Sequence, residues 1–99
     1  MSILITAATS AQAYQLKNKL DGEKTILGDH MDLPEFMVKT GKMILLPKPA
    51  SASYTHEMLT LCLDKGIDSV YLLRPDETAL LLKAETLFNE YDIKLHVIA

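Results

Sequence analysis

The chain has 99 residues, a formal net charge of −3 and a single cysteine. A chain of this length forms one domain, over residues 1–99, and buries enough surface to fold without a disulfide or a structural metal. Its basic residues are scattered, which argues against nucleic acid and membranes as partners. The N-terminus lacks the pattern of a signal peptide, and no apolar run reaches membrane-spanning length, so we predict a cytoplasmic protein.

An apolar strand followed by a helix opens the sequence. Ile3-Leu4-Ile5 is an almost continuous apolar run, which is typical of a strand buried on both faces. After a short turn, Ser10 is placed to cap a helix in which Ala13, Leu16 and Leu20 recur at helical spacing. In open parallel sheets this first strand-to-helix turn lies where ligands commonly bind.

Two further short strands are predicted in the first half of the chain, over residues 24–28 and 43–46. The segment between them, residues 30–40, is irregular, because Pro34 disfavours a long strand or an uninterrupted helix. Several of its residues are nevertheless apolar, so we expect this segment to pack against the rest of the domain.

The second half of the chain alternates helices and strands. A helix capped by Ser51 or Ser53 precedes a strand over residues 68–73. Asp76 is a natural N-cap for a third helix, and residues 94–98 form a fifth strand. The buried stripe predicted for the third helix consists of Leu80, Leu81, Ala84, Leu87, Phe88 and Tyr91.

This alternation predicts an α/β fold. Strands separated by helices are parallel and are joined by right-handed crossovers, which place helices on both faces of the sheet. We therefore predict a three-layer α/β/α sandwich around a Rossmann-like, parallel, five-stranded sheet with strand order 3-2-1-4-5.

Several short motifs, taken in order, resemble those of a known family. They are Ile3-Leu4-Ile5-Thr6, Gly28-Asp29, Leu46-Pro47, residues 61–68 (LCLDKGID) and Pro75-Asp76-Glu77. Their order and spacing are similar to the N-terminal pre-ATP-grasp domain of ATP-grasp ligases of the carbamoyl-phosphate synthetase large-chain and biotin-carboxylase type. The closing Tyr91-Asp92-Ile93-Lys94-Leu95 extends this resemblance over nearly the whole chain.

The chain departs from this family in two respects. Relatives have a glycine-rich turn after the first strand, where this chain has Ala7, Thr9 and Ala13, and an alanine Cβ blocks close approach of the backbone to a phosphate. In relatives the ATP- and magnesium-binding domains begin where this sequence stops, at Ala99. The resemblance therefore implies the substrate-side part of such a ligase, and we predict no bound cofactor.

Candidate ligand contacts follow the carboxyl ends of the predicted strands. Asp29 follows the second strand, where we expect a solvated loop acid. Asp76 and Glu77 lie beside the point where the strand order reverses, so they are placed to bind a ligand amine or hydroxyl. Two acids in a first helical turn also stabilise the helix without any ligand. Arg74 is placed to neutralise this pair or to bind a carboxylate.

Thr9 and Ser10 form a second candidate site, because backbone N–H groups at a helix N-terminus favour an anion. Capping alone accounts for the serine. His30, His56 and His96 match no metal-ligand spacing. We predict neither a catalytic residue nor a metal site.

Cys62 is the one thiol of the chain, and it lies on the apolar face of a predicted helix. It has no basic neighbour to lower its pKa, so we predict a buried and unreactive thiol.

These features favour a non-catalytic binding or oligomerisation module, with a homodimer as the simplest assembly. The supporting evidence is that the sequence has more apolar residues than the core needs. Three consecutive leucines are more than one helix face can bury, and a second group of apolar residues precedes the third strand. The predicted interface residues are Met31, Leu33, Phe36, Met37, Leu80, Leu81 and Leu82.

Two alternatives remain. The chain is the substrate-side half of a split ATP-grasp ligase, whose partner chain supplies the ATP-binding part, or it is a phosphocarrier similar to the IIB proteins of sugar phosphotransferase systems. The second alternative is disfavoured because Thr6-Ala7-Ala8 offers no cysteine or histidine after the first strand. The same turn lacks the clustered acids of a receiver domain.

Overall fold

The structure, a computed structural model, describes residues 2–7, 10–20, 24–30, 33, 35–41 and 43–97. Within these residues, five parallel strands form one sheet in the order β3-β2-β1-β4-β5, as the sequence predicts. The strands are β1 (Ser2–Ile5), β2 (Thr25–Asp29), β3 (Met43–Leu45), β4 (Ile67–Leu72) and β5 (Lys94–Val97). The helices are α1 (Ala11–Lys19), α2 (Glu35–Lys39), α3 (Tyr54–Lys65), α4 (Pro75–Leu82) and α5 (Glu85–Glu90).

Strand β1 lies at the centre of the sheet and is fully buried. Leu4 is paired with Ile26 of β2 on one side and with Val70 of β4 on the other. A strand covered on both faces by helices cannot expose polar side chains, which explains the continuous apolar sequence of β1.

The helices cover the two faces of the sheet, so the predicted three-layer sandwich is confirmed. On one face, Ala13 of α1 packs with Ile3, Ile5 and Leu27, and Met37 of α2 packs against this cluster. The other face carries the larger core, which joins the sheet to α3, α4 and α5. Its buried members include Leu4, Tyr54, Met58, Cys62, Val70, Leu81 and Phe88.

The structure confirms one predicted helix cap and corrects another. The Ser10 hydroxyl accepts a hydrogen bond from the Ala13 N–H at 3.1 Å, so the predicted cap of α1 is confirmed. Asp76 is not the N-cap of α4, because the helix begins at Pro75 and Arg74 is the capping residue. Proline is preorganised for a first helical position, where its missing N–H costs nothing.

The third predicted helix is two helices, and part of its predicted stripe is wrong. The chain leaves helical geometry at Ala84, whose φ and ψ are −112° and 17°, between α4 and α5. This change of phase places Phe88 in the core and turns Leu87 and Tyr91 toward solvent.

Residues 35–39, for which the sequence predicted no regular structure, form the short helix α2. None of the described helices is long and apolar enough to cross a membrane.

Candidate functional site

Parallel strands bring their carboxyl ends to one edge of the sheet. At this edge Thr6 follows β1, Asp29 ends β2, and Arg74 follows β4. The strand order reverses between β1 and β4, and Glu77 lies in the first turn of the helix after β4. Ligands of open α/β sheets bind at such a reversal. We refer to Thr6, Asp29, Arg74 and Glu77 as the switch-point cluster.

Thr6 connects the ends of β1 and β4 at this edge. No pattern in the amino-acid sequence predicts this role. The side chain is fully buried. Its hydroxyl oxygen accepts a hydrogen bond from the Leu73 N–H at 3.0 Å, and the hydroxyl lies 3.3 Å from the Tyr71 carbonyl oxygen, to which it donates. These two bonds fix the chain where it leaves β4 and enters α4.

Asp29 and Arg74 form a two-point ion pair across the edge. Arg74 Nη2 donates to Asp29 Oδ2 at 2.7 Å, and Nε donates to Oδ1 at 3.2 Å. Asp29 is fully buried, and its Oδ1 also accepts from the His30 N–H at 2.8 Å. The prediction of a solvated loop acid is therefore wrong. The hydrogen bond that Arg74 donates to Asp29 raises the pKa of Arg74, because it favours the charged guanidinium.

Glu77 is fully buried, and neither of its carboxylate oxygens has a hydrogen-bond partner among the described residues. The same is true of the Tyr54 hydroxyl. Burial raises the pKa of Glu77 to about 7, and the charges of Asp76 and Asp29 act in the same direction. The neighbouring Thr6 hydroxyl and Arg74 oppose this shift. Glu77 therefore exchanges a proton near neutral pH, as few glutamates do.

Burial also raises the pKa of the Tyr54 hydroxyl, and the charges of Glu77 and Asp76 add to the shift. Burial therefore favours the neutral phenol of Tyr54. Tyr54 is the first residue of α3 and Glu77 lies in the first turn of α4, so the two buried polar groups belong to helices on the same face of the sheet.

Asp76 differs from Glu77 in environment, so the two acids are not the matched pair that the sequence suggested. Asp76 is exposed, and its Oδ1 accepts a hydrogen bond from the Glu77 N–H at 2.9 Å. Its position in the sequence predicts that Arg74 neutralises Asp76 and Glu77. In the structure, Arg74 Nε and Nη2 both donate to Asp29.

The first turn has an unusual backbone. Ala7 has a φ of 54°, in the left-handed region that costs an alanine about 1 kcal/mol or more. Its carbonyl accepts from the Ser10 N–H at 2.9 Å, and the Ser10 hydroxyl is engaged in capping α1. Ala7 thus adopts a backbone conformation that favours glycine, with an alanine Cβ in place. Thr9, the other candidate anion contact, lies outside the described residues.

The predicted interface residues are distributed between surface and core. Phe36 is 69% exposed and Leu82 is 40% exposed, whereas Leu33, Met37 and Leu80 are half-buried against the cores. Leu81 is fully buried, so it cannot contact a partner in the folded protein, and its place in the predicted interface is wrong. Met31 lies outside the described residues.

Cys62 and His96 lie in packed surroundings. Cys62 is fully buried, and burial raises its thiol pKa to about 12, which makes it inert. His96 stacks on Tyr71 with ring centroids 4.4 Å apart. Among the described residues there is no group of three or more His, Cys, Asp or Glu side chains that could hold a metal ion.

Open grooves lie away from the switch-point cluster. One, of about 460 Å³, is formed by α5 and β5 and is lined by Glu85, Asn89, Asp92, Lys94, Leu95 and His96. A second groove, of about 370 Å³, lies between β3 and α3.

No family model matches this sequence, and a search of curated proteins finds no significant similarity.

Proposed function

We propose that this chain is a non-catalytic binding module of the pre-ATP-grasp type, which associates with a second copy of itself. The observation that carries this proposal is the state of the switch-point cluster. Asp29 holds Arg74 in a two-point ion pair, and Glu77 is fully buried. A guanidinium that is already paired and a carboxylate without solvent access are poorly placed to bind a substrate.

Self-association is supported by apolar side chains on the β3 side of the molecule. Phe36 and Val38 of α2 are 69% and 41% exposed, and β3 itself exposes Leu45. Helix α2 packs against β3, the outermost strand on this side of the sheet. Exposed large apolar side chains that lie close together commonly mark a protein interface.

Sedimentation velocity of the full chain over a range of concentrations tests this proposal. A sedimentation coefficient that rises to that of a dimer supports self-association. A coefficient that stays at the monomer value up to high micromolar concentration contradicts it.

A second candidate is the substrate-side half of a split ATP-grasp ligase. It is favoured by the position of Asp76, an exposed carboxylate at the strand reversal where ligands of such sheets bind. Affinity purification of the tagged chain from native extract, read by mass spectrometry, tests this candidate. Recovery of an ATP-grasp polypeptide that also restores ATP-dependent ligation supports it, and recovery of the chain alone contradicts it.

A further inference from the structure

Among the described residues, no strand pairs with the outer edge of β3. On its inner side β3 pairs with β2, and the Leu46 N–H donates to the Asp29 carbonyl at 2.8 Å. Successive residues of a parallel strand direct their backbone groups to opposite sides. The N–H and C=O of Leu45 therefore point away from the sheet. An exposed strand edge of this kind is a template for pairing with another strand.

A groove of about 370 Å³ lies beside this edge, between β3 and α3. Its apolar lining consists of Leu45, Leu46, Pro47 and Leu61. Leu45 is 64% exposed, although a leucine side chain gains about 1.5–3 kcal/mol when it is fully buried. An incoming strand could therefore bury apolar surface here as well as form backbone hydrogen bonds.

The α3 side of the groove is acidic. Glu57 and Asp64 line it seven residues apart, and no lysine or arginine is among the described residues that line it. The Ser51 hydroxyl donates to Glu57 Oε2 at 2.9 Å and so holds this carboxylate in place. The chemistry of the groove fits an apolar strand that carries basic residues at its ends.

The β3 segment of this protein has that chemistry. The apolar residues 43–46 are preceded by Lys42 and followed, after Pro47, by the exposed Lys48. In an antiparallel pair of two β3 strands related by a two-fold axis, the start of one strand lies beside the end of the other. Because α3 runs antiparallel to β3, Lys48 of one copy is then brought to the end of α3 that carries Asp64 of the other.

We propose that two copies of this chain associate through an antiparallel β3–β3 pair, which joins their sheets into one, with Lys48 of each copy facing Asp64 of the other. This inference rests on the proposed self-association and names the surface and the charge pairs that produce it.

A mixing experiment tests the charge pairs. In a Lys48→Glu homodimer, a glutamate faces Asp64 at both contacts between the copies. In an Asp64→Lys homodimer, a lysine faces Lys48 at both contacts. We expect each variant to dimerise about tenfold more weakly than the wild type at low salt, because each homodimer has two repulsive pairs. A mixture of the two variants restores attraction at both pairs, so heterodimers should form with wild-type affinity.

Both substitutions are on exposed side chains, so the fold should be unaffected. The mixture distinguishes contacts between copies from contacts within one copy, since only the former are restored by mixing. Glu90→Lys, at an exposed position on α5, is the matched control and should leave dimerisation unchanged.

A backbone variant tests the strand pairing itself. Leu45→Pro removes the outward N–H without removing a bond to β2, and an edge strand tolerates such a proline. We expect Leu45→Pro to be monomeric and Leu45→Val to dimerise. Dimerisation of Leu45→Pro with wild-type affinity, or a mixture that associates no better than the separate charge variants, overturns the β3 pairing while leaving self-association intact. A wild-type chain that is monomeric at every concentration overturns both proposals.

Discussion

Arg74 and Asp29 are 45 residues apart in sequence and form a bidentate ion pair at the carboxyl edge of the sheet. The pair ties the end of β2 to the segment that leaves β4, on either side of the central strand. Asp29 is fully buried, whereas the Arg74 side chain keeps 27% of its surface exposed. Loss of the pair would therefore cost Asp29 more than Arg74, because only the arginine keeps contact with water.

Removing the arginine should destabilise the protein strongly. Arg74→Gln leaves the Asp29 carboxylate buried without its cation, and we expect a loss of about 3 kcal/mol in the free energy of unfolding. Adding Asp29→Asn to this variant should recover part of the loss, because the buried charge that lost its partner is then removed. Urea unfolding of the two single variants and the double variant measures the coupling. Additive effects of the two substitutions would contradict a direct pair.

The buried Glu77 should make stability depend on pH. Burial raises its pKa from 4.5 to about 7, so the folded state binds the proton more tightly than the unfolded state does. The contribution of Glu77 is therefore fully favourable below pH 4.5 and is lost as the pH rises through 7. A shift of this size corresponds to roughly 3 kcal/mol.

Glu77→Gln isolates this effect, because the amide cannot ionise. We expect the free energy of unfolding of the wild type to fall relative to the variant between pH 4.5 and pH 7.5, measured by chemical denaturation at each pH. Parallel pH profiles for the two proteins would show that Glu77 does not titrate in this range.

Cys62 should be protected from thiol reagents. The side chain is fully buried, and burial raises its pKa to about 12, so almost no thiolate forms at neutral pH. We expect reaction with a chromogenic disulfide to be at least a hundredfold slower in the native protein than in denaturant. Rapid native reaction would contradict the burial of Cys62 and would reopen the possibility of a phosphate-accepting thiol.

Gly28 lies in β2 where there is no space for a side chain. A Cβ at this position would lie 2.9 Å from Leu46 Cδ2 and 3.1 Å from Leu4 Cδ1. Gly28→Ala should therefore cost about 1–3 kcal/mol of stability through overpacking. Gly66→Ala is the comparison for backbone strain without overpacking, because that position has open space but a φ of 67°, and we expect it to cost about 1 kcal/mol. Equal thermal stability of Gly28→Ala and the wild type would contradict the close packing.

The sheet could be predicted because each strand and each helix is marked by its own stretch of sequence. Short apolar runs such as Ile3-Leu4-Ile5, separated by helical segments, allow few arrangements once crossovers are right-handed. The two helices at residues 75–90 were predicted as one, since the break at Ala84 has neither proline nor glycine to mark it.

The candidate site was less predictable than the fold. Sequence position placed Asp29, Arg74 and Glu77 at the correct edge, but it could not distinguish buried from exposed acids. The pairing of Asp29 with Arg74 joins the end of β2 to the segment after β4, and these meet only in the folded protein. Burial of Glu77 beside the exposed Asp76 follows from the direction in which α4 leaves β4.

The molar mass of the full chain in solution, measured by multi-angle light scattering at high micromolar concentration, tests the proposed self-association most directly. We predict a mass approaching twice the 11.0 kDa of one chain. Phe36→Ser on the β3 side should lower this mass, whereas Tyr91→Ser, at an exposed aromatic that follows α5 near the opposite edge strand β5, should not. A mass of one chain at every concentration would contradict the proposal that this domain is a self-associating module.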